Sequence, residues 1–289
     1  MSKVIVITGT ATGLGRATVD KFSAQGWNVV ATVRKEADLK IHDGDPQVKT
    51  LLLDVDDEAA AAGFAKQALE AFGRVDALVN NAGSYQMGPL EATTMDQVHR
   101  QFQTNVFGLV AITKAFLPHF RLQRSGAIVN ISSLTAEQGY PYNAVYAASK
   151  AAVATLSEGL SMEMAEFGVV VRAIMPGQHA TRIFAKIDAA ADVPEDYQAG
   201  IGSFFGVTPM TGSSPQVTAD VIYQAVLNPV ADQVRYYSGP DSVAIPTAKR
   251  ILGPQKYWEE FREAAVGRPS ALWSALVPAP GTEPLQRDI

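Results

Sequence analysis

Three side chains near the middle of the sequence have the types and spacing for proton chemistry. Tyr146 and Lys150 stand four apart in Tyr146-Ala147-Ala148-Ser149-Lys150, so in a helix they project from one face. A phenol with its ordinary pKa of about 10 is a poor acid/base at neutral pH, and a neighbouring ammonium lowers that pKa by favouring the phenolate. Ser133 closes the apolar run Ala127-Ile128-Val129-Asn130-Ile131-Ser132, and in a parallel sheet the carboxyl edge is where ligands bind. A hydroxyl placed there can orient a reacting oxygen and stabilise charge developing on it. The plainer reading has Ser132 and Ser133 as strand-end hydroxyls that satisfy backbone groups.

A second group suits a phosphate. Thr8-Gly9-Thr10-Ala11-Thr12-Gly13-Leu14-Gly15-Arg16 follows an apolar run and opens an amphipathic helix. Glycines permit a tight turn and let backbone N–H groups approach a pyrophosphate, whose charge the helix N-terminus favours. The alternative is a simple strand-to-helix turn; the strand before and the helix after favour a dinucleotide. Such a site also needs a group for the adenosine ribose at the end of the second strand. There Val33 stands where an acid would read a free 2′-hydroxyl, and Arg34 follows it. A guanidinium can fork a 2′-phosphate, which favours NADP(H), the alternative being that Arg34 is a solvated strand-end cation. Thr12 is neutral and adds no second cation.

These residues must be positioned by a framework, and the order of elements supplies one. Val- and Ile-rich runs at 3–8, 28–33, 48–54, 76–80, 126–132, 169–175 and 233–238 read as strands covered on both faces. Helical periodicity lies between them at about 13–25, 57–72, 95–119, 143–167 and 216–228, with another helix near 243–265. The alternation predicts α/β architecture, a doubly wound Rossmann-type domain with a seven-stranded parallel sheet. With no Pro/Gly/Ser-rich linker before the extreme C-terminus of the 289 residues, the expected domain is single and spans 1–277. Residues 182–215, which carry Phe184, Phe204, Phe205 and Met210 without a strand signal, suit a substrate lid. The Pro-rich tail 278–289 is expected to be flexible.

Composition narrows the function classes. Cysteine is absent, which removes disulfides, thiolate nucleophiles and Cys-ligated metals and suits a reducing cytoplasm. The four His are scattered, with no metal-ligand spacing. A net charge of -5 without a basic block argues against a nucleic-acid partner, and no apolar stretch approaches a membrane span. The run from Lys3 leaves no room for a leader.

With these motifs in order, the sequence resembles the short-chain dehydrogenase/reductase family from Lys3 to about residue 240. Thr8 to Gly15 resembles the family's glycine turn, and Asp54-Val55 its adenine-contacting pair. Asn80-Asn81-Ala82-Gly83 is similar to the turn after its fourth strand. Asn105, Ser133, Tyr146 and Lys150 match its catalytic set, and Pro176-Gly177 with His179 and Thr181 the loop that holds the nicotinamide carboxamide. The resemblance implies hydride transfer between NADP(H) and a carbonyl or secondary alcohol. Tyr146 would be the acid/base, its pKa lowered by Lys150, which also binds ribose. Ser133 would orient the substrate oxygen, and Asn105 would anchor a water in a proton path. The cofactor set implied is Gly9, Thr10, Thr12, Gly13, Leu14, Gly15, Arg34, Asp54, Val55, Asn81, Ala82, Gly83, Tyr146, Lys150, Pro176, Gly177, His179 and Thr181. A homodimer or homotetramer is implied as well.

One departure is His179, where the family usually has a small aliphatic residue; a structural or surface role is favoured over a catalytic one. The expected substrate walls are Tyr85, Gln86, Leu134, Tyr140, Tyr142 and the lid aromatics, which suit a fairly apolar ketone or alcohol. Tyr236, Tyr237 and Trp258 read as core or subunit packing. Two alternatives stand beside the enzyme: a silent dinucleotide-binding sensor or scaffold, and an NAD(H)-preferring dehydrogenase.

Overall fold

Strand β1 (Val4–Ile7) is buried along its whole length, and its alternating side chains serve two different cores. Val4 and Val6 pack with Phe64, Phe116 and Phe120, whereas Ile5 and Ile7 pack with Val19, Phe22 and Ile222. A strand covered on both faces has no polar side, so its sequence is continuous Val and Ile rather than an alternation. The computed structural model describes residues 2–179, 187–207, 212–229 and 233–277.

The chain continues through α1 (Gly13–Ala24), β2 (Asn28–Val33), β3 (Val48–Leu52), α2 (Ala60–Phe72), β4 (Ala77–Asn80) and the short β5 (Gln86–Met87). Helix α3 (Met95–Phe102) leads through a π-helical turn, Gln103–Gly108, into α4 (Leu109–Gln123). Then come β6 (Gly126–Ile131), α5 (Ala144–Ala165), β7 (Val169–Pro176), β8 (Asp188–Ala189), α6 (Gln198–Val207), α7 (Pro215–Leu227), β9 (Arg235–Ser238), α8 (Pro240–Ala265) and α9 (Ala271–Leu276). Seven strands form one sheet in the order β3-β2-β1-β4-β6-β7-β9, and every pairing is parallel. Helices α1 and α7 cover one face; α2, α4 and α5 cover the other. The chain winds outward from β1 to β3 and then returns to place β4 on the other side of β1. This reversal opens a crevice at the carboxyl edge, where open α/β sheets bind ligands.

The seven predicted strands are these seven. The predicted helix at 95–119 differs, because the π-turn divides it. The helix expected near 243–265 begins at Pro240 and kinks at Gly253, whose φ is 70°; Pro254 follows it and lacks the N–H that an unbroken helix would use. Residues 182–215, read as having no strand, contain β8, which pairs with β5, and α6. Two-residue strands are too short to show a period. Helix α9 was not anticipated. The tail 278–289 lies outside the described residues. Among the described residues no helix is long and apolar enough to cross a membrane.

Candidate active site

The glycine turn is held against the end of β4 by backbone contacts. The Thr8 hydroxyl accepts hydrogen bonds from the Asn81 and Ala82 N–H groups at 2.9 and 3.0 Å, while Asn81 Nδ2 donates to the carbonyls of Thr8 and Gly9 at 2.8 and 3.0 Å. Gly9 has φ +71°, and a Cβ there would stand 2.9 Å from Ala82 Cα. At Gly15 a Cβ would stand 2.6 Å from Asn81 Nδ2. Absence of side chains at both positions lets the two turns meet and leaves the first turn of α1, with its unpaired N–H groups, facing open space. Thr12, Gly13, Leu14 and Gly15 line that space. Thr10 does not: its hydroxyl is buried, donating to the Thr32 carbonyl at 3.0 Å and lying 3.3 Å from His42 Nε2.

A single cavity of about 830 Å³ runs from this turn along the carboxyl edge of the sheet. Arg34, Lys35 and Asp38 line it beyond β2, and Asp54 and Val55 beyond β3. Arg34 is exposed and makes no ion pair among the described residues. Asn81, Ala82 and Gly83 form the floor after β4.

Ser133, Tyr146 and Lys150 meet in the same cavity, each under a tenth exposed. Ser133 leaves β6 at the carboxyl edge, and Tyr146 and Lys150 lie in the first two turns of α5, which packs beside it. The Ser133 hydroxyl hydrogen-bonds the Tyr146 phenol. Lys150 Nζ donates to the Ile131 carbonyl at 2.8 Å and lies 5.9 Å from the centre of the Tyr146 ring. The Tyr85 ring packs edge-on against Tyr146, 4.4 Å between centres. Burial raises the phenol's pKa well above 10 and outweighs the opposing Ser133 hydrogen bond. Burial lowers that of Lys150 to about 8. The expected depression of the phenol is therefore not seen: loss of water around the ring dominates, and the Lys150 ammonium is bonded to the Ile131 carbonyl.

Asn105 sits in the π-turn and is not part of the cavity wall. Its Oδ1 accepts from the Ser84 N–H at 2.8 Å; its Nδ2 donates to the Ser84 carbonyl at 3.2 Å and the Ser149 hydroxyl at 3.0 Å. Gly83 lies close to it: a Cβ there would be 3.3 Å from Asn105 Oδ1 and 3.5 Å from Lys150 Nζ. π-turns inside α-helices recur at functional sites, and here the turn aims Asn105 at the segment beneath the lysine.

The loop after β7 is anchored from outside. Pro176, Gly177, Gln178 and His179 line the cavity. The His179 ring is buried, Nδ1 2.8 Å from the Gly177 carbonyl and Nε2 2.6 Å from the Thr218 hydroxyl, which agrees with a structural histidine. Asp241, at the start of α8, accepts from the Gln178 N–H at 2.8 Å, and burial raises its pKa. Thr181, Phe184 and Met210 lie outside the described residues.

Of the expected substrate walls, Tyr85, Leu134, Tyr140, Phe204 and Phe205 line the cavity. Gln86 does not; it is buried, bonded to Gln101 and Thr93. Tyr142 also turns away and packs on Phe204, 5.9 Å between centres. Several lining residues that sequence reasoning missed come from the last two helices and just beyond: Ile245, Phe261, Ala264, Trp273 and Val277. Their one signal was the four-residue spacing of Tyr257 and Phe261, which equally describes packing. Trp258, read as core or subunit packing, does not line the cavity; it is about half exposed and its ring packs on Phe261, 5.9 Å between centres.

A doubly wound sheet with a glycine turn and a buried Ser, Tyr and Lys in its crevice defines an oxidoreductase of Rossmann type. The short chain dehydrogenase family model matches residues 3–192, and the chain belongs to the short-chain dehydrogenase/reductase family. The uncharacterized oxidoreductase YusZ of Bacillus subtilis is 32% identical over 273 residues, covering 90% of this chain and 96% of YusZ. A short-chain dehydrogenase structure from Streptomyces avermitilis has a TM-score of 0.80 at 31% identity and covers 91% of this chain and 99% of its own. The structure of ElxO with NADP bound has a TM-score of 0.72 at 26% identity, covering 84% and 100%.

Proposed function

We propose that the protein is an NADP(H)-dependent carbonyl reductase or secondary-alcohol dehydrogenase. The observation that carries this is the meeting of Ser133, Tyr146 and Lys150 in the same cavity as the glycine turn. The turn fits a pyrophosphate, since the contacts of Gly9 and Gly15 leave the α1 N-terminus bare. Reduced nicotinamide would supply a hydride to the substrate carbon. Ser133 would hold the substrate oxygen, and Tyr146, a neutral phenol across the physiological range by its burial, would donate the proton to that oxygen. Lys150 would hold the nicotinamide ribose, and its charge would support the phenolate left behind. Asn105 would support the proton path to solvent from behind Gly83. Asp54 and Val55 would face the adenine, and the loop at Pro176 to His179 the carboxamide. Arg34 would pair with the 2′-phosphate, as its exposed guanidinium on the cavity wall allows, and the NADP of ElxO is consistent with this. The NAD(H) reading rests on Asp38, an acid on the same wall.

Thermal unfolding with saturating NADPH, NADP⁺, NADH and NAD⁺ separates these readings. A ligand of the folded state at a hundredfold excess over Kd adds about 2.7 kcal/mol, several degrees for a chain of this size. We expect the larger shift from the phosphorylated pair, diminished in Arg34→Ala; an equal or larger shift from NADH would transfer the assignment to NAD(H). In Tyr146→Phe, kcat on ketones should fall ~10²–10⁴-fold, the usual contribution of general acid/base catalysis, with the NADPH shift kept. No turnover across a broad panel of carbonyls would favour the silent sensor.

A further inference from the structure

The substrate arm of the cavity is built largely by chain beyond residue 192, where the family match ends. Leu134, next to Ser133, packs in one apolar cluster with Ile245, Phe261 and Trp273, and all four line the cavity. The wall is therefore continuous from the Ser133 hydroxyl to α9. Phe261 is its centre, with the rings of Tyr140, Tyr257 and Trp273 at 5.1, 6.0 and 5.9 Å. The Ser270 hydroxyl fixes α9 in place, accepting from the Trp273 N–H at 3.0 Å and donating to Glu260 on α8.

Charge is distributed unevenly along the cavity. Its Lys and Arg side chains are Arg34 and Lys35 beyond β2 and Lys150 beneath Tyr146. Among the described residues no cation lines the arm between Leu134 and Val277, and its one carboxyl, Asp241, is held by the Gln178 N–H. An anionic group at the far end of a substrate would lose its hydration there and meet no counter-charge among the described residues.

We propose that the substrate is an uncharged carbonyl compound, or the corresponding alcohol, with one extended apolar substituent laid along Leu134, Ile245, Phe261 and Trp273. This rests on the carbonyl-reductase reading above. In reduction a bound reduced nicotinamide would supply a hydride to the carbonyl carbon, the π pair would move to oxygen, and the oxygen would take the Tyr146 proton, the phenolate left being reprotonated from solvent. Ala264, small and on the arm's wall, sets the length accepted.

The test is a series of methyl ketones from 2-butanone to 2-nonanone with the preferred reduced cofactor, alongside 8-oxononanoate. Each methylene taken from water should raise kcat/KM about threefold to fourfold (about 0.8 kcal/mol), so 2-nonanone should exceed 2-butanone at least ~100-fold. Ala264→Phe should lower kcat/KM at least ~tenfold more on 2-nonanone than on 2-butanone, the added ring filling space along the arm rather than touching the reacting oxygen. If Ala264→Phe loses its cofactor thermal shift, Ala264→Leu replaces it. A flat series, an equal loss on all ketones, or preference for 8-oxononanoate overturns the proposal. Calorimetry of 2-nonanone on the complex with oxidised cofactor separates the two readings. Binding weakened by Ala264→Phe but without turnover in wild type keeps the apolar arm and removes the reductase; no binding removes the arm.

Discussion

Along the nucleotide side the cavity floor is backbone, and along the substrate side it is aromatic side chain. From Gly9 to Gly83 two turns touch main chain to main chain, with Thr8 and Asn81 tying them together. From Leu134 to Val277 the wall is a cluster of rings carried mainly by α8 and α9. The two sides therefore tolerate change differently. Backbone packing demands particular residues at particular positions, whereas an apolar wall demands only volume and hydrophobicity. A strict site for an invariant group thus faces a permissive one for the variable substrate.

The largest effect expected from probing this contrast is at Gly15. A methyl in Gly15→Ala would stand 2.6 Å from Asn81 Nδ2 and closer still to the Gly9 carbonyl, too near for any real Cβ. Overpacking of this kind costs about 1–3 kcal/mol. We expect the dissociation constant for NADPH, measured by fluorescence titration, to rise ~5–150-fold by the same range. Phe261→Leu, on the other side, should leave that constant unchanged. Equal effects of the two variants on nucleotide binding would dissolve the contrast.

The same contrast explains what the sequence disclosed. The seven strands were legible because strands buried on both faces are unbroken Val/Ile runs, and β1 is Val4-Ile5-Val6-Ile7. Glycines where side chains cannot fit, and Ser133, Tyr146 and Lys150, announce themselves by type. Asn105 was visible only through resemblance, since the π-turn that aims it leaves no period in the sequence. Gln86 and Tyr142 were placed on the substrate wall by nearness in sequence, but their local bonding turns them away. Phe261 and Trp273 were missed because an apolar residue facing a cavity carries the same pattern as one facing the core. Adjacent strand-end positions can be inferred from order, whereas a wall folded back from the chain's end depends on tertiary packing.

Lys150 stands where the two sides meet, and its burial supplies a pH-dependent test. Its pKa is lowered from 10.5 to about 8, so from about pH 8 to 10 the unfolded chain holds a proton there that the folded chain releases. Stability rises with pH in that window, by up to about 1.4 kcal/mol per pH unit from this group. In Lys150→Met the buried charge is gone. The excess in Tm of the variant over wild type should be largest at pH 7 and shrink by pH 10, where the tyrosines begin to contribute. A constant difference from pH 7 to 10 would show that Lys150 keeps its ordinary pKa.

The smallest expected effect concerns how the substrate side is held in register with the catalytic residues. Glu137, four residues after Ser133, accepts from Arg235 at 2.6 Å, from the Tyr237 hydroxyl at 2.8 Å, and from Lys249 at 3.4 Å. It thereby binds the loop after β6 to β9 and to α8. Burial pushes its carboxyl up, but the hydrogen bonds from Tyr237 and Arg235 and the Lys249 charge outweigh this, and its pKa lies below the usual 4.5. That stability is present above pH 4.5 and fades as pH falls through the lowered value. Glu137→Gln retains the shape and removes the charge. Losing the charge from these hydrogen bonds should cost about 1 kcal/mol, a fall of ~2–4 °C in Tm, with a smaller loss at pH 4 than at pH 7. Because the loop carries Leu134 and Tyr140, the ketone KM should rise while the nucleotide constant stays put. A rise in both would mean that the network supports the whole crevice and that its two sides are not independent.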